Sequence, residues 1–521
     1  MKRTALFFFL FFYGILFFLL LPGYRYIIDP DATGYIRIAE RVAAGDYARS
    51  VNGLWSPLNA WLLVPFLKIG VNAVMAAKYL NGIFSCAAII AVFFLLKKLV
   101  LHRYAELGIM TAISILLLHY TFHELFADLL LVLMLLIYLN IICSKNFINN
   151  NLKIIGCGLI CAVGFYAKAY FFYFAIIHLA VSIFILLKVR QQKFNWRKWF
   201  TVTAMALIIV VIAVIPWAMA LQSKYEKGFT ISTAGKFNQT WVLSAAYPQP
   251  GQLIMPPHYD DAYSFWDDPS YWPVKNINPF TNKTVFMFQL KLLFSNTLES
   301  IDVFNDFSFL SITVMLVLLF LLLSGNKIFI QQKNNLVLFA FLCVFPIGYI
   351  ILHVEPRFFW ILNIVLIIFA GILLSMVQQA GYLKKSSFGI CCIIAFGSFI
   401  LYPVNKLQDQ YNEGKDNFEM AAAFKKNNIH GKIISNCTSS DEQARSLAVC
   451  YLINSQNYGP ANIDHSEEEI LQAIREYKID HYVMYYHFPY EKEMILSSAL
   501  AKNAVSVRDD IYPGLIVLTY Q

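Results

Sequence analysis

The sequence predicts an α-helical polytopic membrane protein. About eleven transmembrane helices, with interfacial helices on the outer side, are followed by a small C-terminal α/β domain. Three observations carry this reading. Of 521 residues, 59% are hydrophobic and 14% charged, whereas soluble domains average about 25% charged. The apolar residues fall into runs near the ~20 residues that a spanning helix needs. Beyond residue 403 those runs stop, and strand-like and helix-like patterns alternate. The 45 Phe and 30 Tyr suit lipid-facing and interfacial positions. The net charge of +9 does not point to nucleic acid, because the basic residues are scattered through short loops rather than gathered on one face.

Spans are expected near 5–22, 72–96, 106–120, 125–143, 154–167, 169–187, 199–220, 308–324, 336–353, 358–377 and 388–403. The run Ala5–Pro22 has the look of a signal peptide, but it lacks a small-x-small cleavage site and TGYIRIAE follows closely, so it reads as a retained first span. The fifth and sixth spans form one apolar stretch broken only by Lys168. As a single helix, residues 154–187 would be about 51 Å long at ~1.5 Å per residue, far beyond the ~30 Å hydrocarbon core. Two short spans hinged at Lys168 fit better.

Charge in the short loops sets the sidedness. With the N-terminus inside, sixteen Lys and Arg residues lie on the inner side, among them Lys97, Lys98, Lys145, Lys333 and Lys384, while the short outer loops hold only Lys168 and Arg357. That asymmetry follows the positive-inside rule. Residues 23–71, 221–307 and 404–521 are then all outside. The tail 404–521 reads as a separate α/β domain: strands at 431–436, 481–486 and 514–520, and a helix at 466–478 capped by Ser466 with Glu469 three residues on. Seven of nine cysteines fall in apolar runs and read as small core residues. Cys437 and Cys450 lie in the tail, where an oxidising compartment would permit a disulfide.

Ionisable residues at membrane level are costly and by default mark function. The outer-side set is short: Asp29 and Asp31 in the first loop; His119, His123, Glu124 and Asp128 around LLHYTFHELFAD; Lys168 in FYAKAY; and His353, Glu355 and Arg357 in LHVEPRFFW. Each has an ordinary alternative. Glu124 could cap a helix start, where the dipole favours an acid, and Arg357 could be a snorkelling anchor. Taken together they sit at the outer ends of spans, at one depth, so one pocket could collect them. Acids with isolated cations there suit sugar transfer from a polyprenyl phosphate. A carboxylate takes the proton of an acceptor hydroxyl, and cations hold the departing lipid phosphate. No GxGxxG or GxxxxGK[ST] occurs, and a lipid-phosphate donor brings no nucleotide that would need one.

The order of these features resembles the GT-C superfamily of integral-membrane glycosyltransferases, in particular its protein O-mannosyltransferase and lipid A aminoarabinose transferase branch. DATGY (31–35), GDY (45–47) and SPLNAWLL (56–63) stand where that branch has D-E-x-x-Y, G-D and P-P-L-x-x-W-L. GLICAVGFYAKAYFF (158–172), VIPWAMALQSKY (214–225) and HVEPRFFW (353–360) continue the likeness, which covers roughly residues 1–403. It implies Asp31 as the catalytic acid, with Tyr35 at the matching spacing. Ala32 replaces the family's second acid, and Asp29 is expected to compensate. It also implies outer helices lying on the membrane. Residues 36–50 have that pattern, with Ile36, Ile38, Ala39, Val42 and Ala43 against Arg37, Glu40, Arg41 and Asp46. The aromatic stretch YPQPGQLIMPPHYDDAYSFWDDPSYWP within 221–307 would cover the pocket.

The expected activity is therefore an inverting transfer from a polyprenyl-phosphate sugar to a lipid, glycan or protein acceptor, with Asp31 as general base. Lys168 and Arg357 would hold the donor phosphate. Tyr35, His123, Glu124, Asp128, His353 and Glu355 would line the substrate pocket. No cofactor is required by that chemistry; DDAYSFWDD could hold a divalent cation, although without EF-hand spacing. The compartment this fits is the outer face of a bacterial inner membrane, in cell-envelope glycosylation. Two other classes compete: a polymerase or ligase of lipid-linked glycans, and a secondary transporter or lipid flippase. The absence of an internal repeat, and the clustering of ionisable residues at one face, weigh against transport.

Overall fold

A computed structural model describes residues 3–125, 127–188, 194–226, 228–244, 253–272, 278–437, 439–460 and 465–520. Parts of the aromatic stretch (247–252 and 273) and the basic residues Lys2, Arg190 and Lys193 lie outside the described residues.

The chain opens with α1 (Arg3–Tyr24), whose Phe7, Phe8, Phe18 and Leu19 stand exposed, as lipid contact requires. Helix α2 (Pro30–Ala44) starts where Asp29 Oδ1 accepts the Ala32 N–H at 2.8 Å and Pro30 supplies a preset φ. It stops at Gly45, whose φ of 85° closes a left-handed cap. Next come α3 (Tyr47–Ser50), α4 (Pro57–Lys68), α5 (Ala73–Leu96), α6 (Arg103–His123), α7 (Asp128–Ile142), α8 (Asn151–Ala167), α9 (Tyr170–Lys188), α10 (Trp196–Tyr225) and α11 (Ala234–Ser244). The second half holds α12 (Lys283–Phe307), α13 (Leu310–Leu323), α14 (Lys327–Gln331), α15 (Lys333–Val344), α16 (Ile347–Leu352), α17 (Trp360–Gln379) and α18 (Lys385–Asp409).

Eight helical stretches among the described residues are long and apolar enough to cross a membrane: α1, α5, α6, α9, α10, Lys333–Leu352, Pro356–Gln379 and α18. With the shorter apolar α7, α8 and α13, every expected span has its helix. The break at Lys168 is present: α8 ends at Ala167, Lys168 is extended, and α9 starts at Tyr170. Two boundaries differ from expectation. Residues 283–307, read as loop, form the full helix α12, which meets α13 at 114°. The last apolar helix continues to Asp409, past the boundary expected at 403, because nothing in LYPVNKLQD beyond Pro403 breaks it. Helices α7 and α17 are buried along most of their length and form the centre of the bundle.

The tail adds α19 (Lys415–Lys426), β1 (Lys432–Ser435), α20 (Ser440–Leu452), β2 (Gln456–Pro460), α21 (Glu467–Tyr477), β3 (His481–Tyr485), α22 (Pro489–Ser497), α23 (Ala499–Lys502), β4 (Ser506–Arg508) and β5 (Leu515–Thr519). The five strands make one sheet in the order β2-β1-β3-β5-β4, parallel on the β2-β1-β3 side and antiparallel beyond. The three expected strands are β1, β3 and β5, and α21 carries the expected capping box of Ser466 and Glu469. Cys437 and Cys450 are free thiols, with Cys437 against the Ser435 hydroxyl and Cys450 against Asn457.

Candidate active site

The site begins at the first turn of α2. Gly34 lets this turn approach Trp55, since a Cβ there would stand 2.6 Å from the indole nitrogen. Trp55 is fixed by the Asn52 side chain, whose Oδ1 accepts the Leu54 and Trp55 backbone amides at 2.9 and 3.0 Å. Trp55 then meets Trp266 edge to face at 5.9 Å. Trp266 in turn donates its indole N–H to Asp31 Oδ1 at 3.1 Å. So part of the long outer loop does close over the first loop, through a tryptophan.

What clamps that loop is charge. Asp267 accepts from Arg41 at 3.0 Å and Arg37 at 3.3 Å, and Asp268 from Lys224 at 2.7 Å and Tyr225 at 2.8 Å. Asp267 and Asp268 are two of the four acids of DDAYSFWDD for which a cation was considered, and a third, Asp261, pairs with Arg49 at 3.1 Å. The same pairs correct the expectation for α2. Arg41 is only 4% exposed, and Glu40 accepts the Tyr451 hydroxyl of α20 at 3.0 Å. The charged face of α2 is thus covered by loop and C-terminal domain, while its apolar face packs on α4 rather than lying against lipid. Burial raises Asp267 to about 6, against the pull of its two arginines.

The second component is Arg357, on the 3₁₀ turn Pro356–Phe359 that leads into α17. Its guanidinium reaches Asp31 Oδ2 at 3.1 Å, Glu355 at 2.5 Å and, as a longer ion pair, Glu124 at 3.6 Å. Behind these acids stand two histidines: His353 Nε2 lies 3.2 Å from Glu355, and His123 Nε2 lies 3.5 Å from Glu124. Beside the cluster, Lys168 donates to Asp128 at 2.5 Å. The Lys168 ammonium lies 4.4 Å from the centre of the Phe358 ring, and the Arg357 guanidinium 5.4 Å from it. The two cations therefore share one aromatic neighbour.

The sequence-predicted residues thus divide. Asp31, Glu124, Glu355 and Arg357 meet directly; His123, His353, Asp128 and Lys168 adjoin them. Tyr35 is buried, its ring 5.4 Å from Trp55, so it props the wall rather than opening on the recess. Asp29 is turned inward as the cap of α2. Asp31 keeps 19% of its side chain exposed, and the acids around Arg357 are similarly part-open. They line an open recess. Among the described residues, one cavity of about 370 Å³ lies at the opposite end of the bundle, by Cys143–Ile148 and Gln331–Asn334, and another of about 220 Å³ lies between α2 and the C-terminal domain.

Electrostatics separates the carboxyls. Burial, then the neighbouring Asp31 charge, raises Asp29 to about 7. Burial also raises Asp31, while Arg357 and the Trp266 hydrogen bond pull it back. Glu124 is pushed well up, by burial above all. Glu355 goes the other way: burial would raise it, but the His353 hydrogen bond and the Arg357 charge hold it at about 2. No group of three or more His, Cys, Asp or Glu among the described residues is arranged to hold a metal. The space between Asp31, Glu124 and Glu355 is taken by a guanidinium, so these residues do not fit a metal as they stand.

Trp266 and Asn81 were not singled out from sequence. Asn81 donates to the Glu124 carbonyl at 3.0 Å; an Asn inside the apolar run of α5 was the available signal.

Neither a family model nor a curated protein matches this sequence. Solved structures do match its fold. The oligosaccharyltransferase of Archaeoglobus fulgidus, in complex with Zn and sulfate, aligns at TM-score 0.55 and 11% identity over 88% of this chain. This chain spans 64% of that protein's length. The archaeal oligosaccharyltransferase AglB from Archaeoglobus fulgidus, in complex with an inhibitory peptide and a dolichol-phosphate, aligns at 0.51 and 12% identity over 88% of this chain and 65% of that one. ArnT from Cupriavidus metallidurans, bound to undecaprenyl phosphate, aligns at 0.57 and 11% identity over 100% of this chain and 99% of that one. The chain shares its fold with these membrane proteins, and with ArnT over the full length of both chains.

Proposed function

We propose that this chain transfers a sugar from a polyprenyl-phosphate donor to a lipid, glycan or protein acceptor, at the non-cytoplasmic face of a bacterial inner membrane. Asp31 is the general base. The observation that carries this reading is the pairing of a part-exposed carboxylate with a guanidinium in one recess: Asp31 held by Trp266 on one oxygen and Arg357 on the other. ArnT and AglB, the structural neighbours, are proteins that bind undecaprenyl phosphate and a dolichol-phosphate, which supports a lipid-phosphate donor here.

Arg357 is shared among three acids. A phosphate entering the recess competes for that guanidinium, with Lys168 across the Phe358 ring as a second charge. Once Arg357 turns to phosphate, Asp31 is released to accept the acceptor's hydroxyl proton. The acceptor oxygen bonds to the anomeric carbon as the carbon–oxygen bond to phosphate breaks, and the electron pair leaves with the lipid phosphate. One displacement inverts the anomeric centre. No metal enters this sequence of events. The ionisable groups cluster at one end of the bundle rather than along a path, which favours transfer over transport. The test is incubation of purified protein with a panel of polyprenyl-phosphate sugars, reading sugar transfer and release of polyprenyl phosphate.

A further inference from the structure

The cavity of about 370 Å³ lies at the end of the bundle away from the recess. Helix α7 starts at Asp128, beside Lys168, and ends at Ile142, and the cavity opens just beyond it. One wall is the turn after α7, with Ser144 and Lys145; another is the start of α15, with Gln332, Lys333 and Asn334. Its volume falls within the ~300–1,000 Å³ of small-molecule sites. Among the described residues the lining holds two lysines and several amides but no acid. The segments that supply it, SKNFINNNLK (144–153) and NKIFIQQKNN (326–335), contain no Asp or Glu at all. Sidedness alone accounts for lysines here, but it requires no cavity and is indifferent to acids. Three further observations point to an anion. Lys98 and Lys153, close by, donate to neutral oxygens, the Asn140 carbonyl at 2.7 Å and the Lys145 carbonyl at 2.6 Å, so these contacts leave their charge uncancelled. Ser144 Oγ, on the cavity wall, is buried with no hydrogen-bond partner among the described residues. Gln332 starts α15 without a side-chain cap, which leaves the positive end of that helix at the wall.

We propose that this cavity binds the phosphate headgroup of an anionic phospholipid from the leaflet opposite the recess. Lys145 and Lys333 supply the cations, and the Ser144 hydroxyl and Gln332 amide supply neutral donors. A free phosphate shares that chemistry. What favours a lipid is the surface around the cavity: Leu152 at the start of α8, Phe320 and Leu323 at the end of α13, and Ile328 on α14 all stand exposed, as acyl chains require. The site is separate from the recess and independent of the sugar-transfer reading.

The experiment is native mass spectrometry of the purified full chain, titrated with phosphatidylglycerol, phosphatidylcholine or inorganic phosphate. The wild type is expected to bind phosphatidylglycerol saturably, in preference to phosphatidylcholine, and inorganic phosphate more weakly. Lys145→Gln combined with Lys333→Gln should weaken phosphatidylglycerol about tenfold or more. Lys384→Gln combined with Lys385→Gln, at the same end of the bundle but off the cavity, should leave it unchanged. If the first pair fails to fold, Gln331→Glu combined with Gln332→Glu decides. Both glutamines are exposed and every lysine is kept, so the added acids should weaken the lipid without disturbing insertion. Equal loss in the cavity and control pairs, unchanged binding in the cavity variants, or no preference over phosphatidylcholine overturns the proposal. Inorganic phosphate bound as tightly as the lipid, and lost in the same variants, overturns the lipid assignment in favour of a free anion.

Discussion

Arg357 and Asp31 lie 3.1 Å apart although 326 positions separate them in sequence. In the proposed mechanism this contact is the resting lock of the site, opened when donor phosphate takes the guanidinium.

Replacing Arg357 therefore has a defined cost. Arg357→Ala should weaken donor binding and slow departure of the lipid phosphate by about ten- to a hundredfold, from the ~1.5–3 kcal/mol of a charge-assisted contact. Arg357→Lys keeps the charge without the fork and should fall in between. Donor affinity and turnover at matched folded amounts check this. Wild-type values in Arg357→Ala would reduce the residue to an anchor.

Trp266 stabilises the ionised form of Asp31 by donating to it. Trp266→Phe removes that donor, so the Asp31 pKa rises further. A base must be deprotonated to act, so the acid limb of the kcat/KM profile should move to higher pH. At the alkaline plateau the variant should approach the wild type. An unshifted limb would separate Trp266 from the base.

Glu355 supplies a pH-dependent stability contribution of predictable sign. Its folded pKa of about 2 lies below the ordinary 4.5. The stabilisation is therefore fully present above 4.5 and is lost as pH falls through about 2. Glu355→Gln should unfold at lower temperature than wild type near neutral pH, with the gap narrowing as acid is added. A gap that is constant with pH would mean the charge contributes nothing.

Much of this was legible because the signals are local. Lys168 interrupts an apolar run too long for one bilayer crossing, and the helix breaks there. Ser466 and Glu469 announce a cap, and a capping box forms. The collection of Asp31, Glu124, Glu355 and Arg357 followed from their common depth. What escaped depends on partners far away in sequence. Arg37 and Arg41 look like the wet face of an interfacial helix until Asp267, more than 200 residues on, claims them. Asp29 looks like half of an acid pair, but its carboxyl is used to start α2. The short β2 and β4 are set by pairing with neighbours already in place, not by their own pattern.

Sidedness is open to direct measurement. The distribution of basic residues in short loops predicts that the residues after α18 lie outside the cytoplasm. A reporter fused after Asp409 should be active only on that side, and a cytoplasmic reporter would reverse the assignment of the recess.

The central claim is that Asp31 is the base of a single inverting displacement. The measurement is turnover of a polyprenyl-phosphate sugar by wild type, Asp31→Asn and Asp29→Asn at matched folded amounts, with the anomeric configuration of the product. Asp31→Asn is nearly isosteric and should fold and bind donor, yet lose about 10²–10⁴-fold in rate, the usual worth of a positioned base. Asp29→Asn should lose less, and the product should carry the inverted configuration. An active Asp31→Asn beside an inactive Asp29→Asn would exchange the two assignments, and a retained configuration or two active variants would contradict the mechanism.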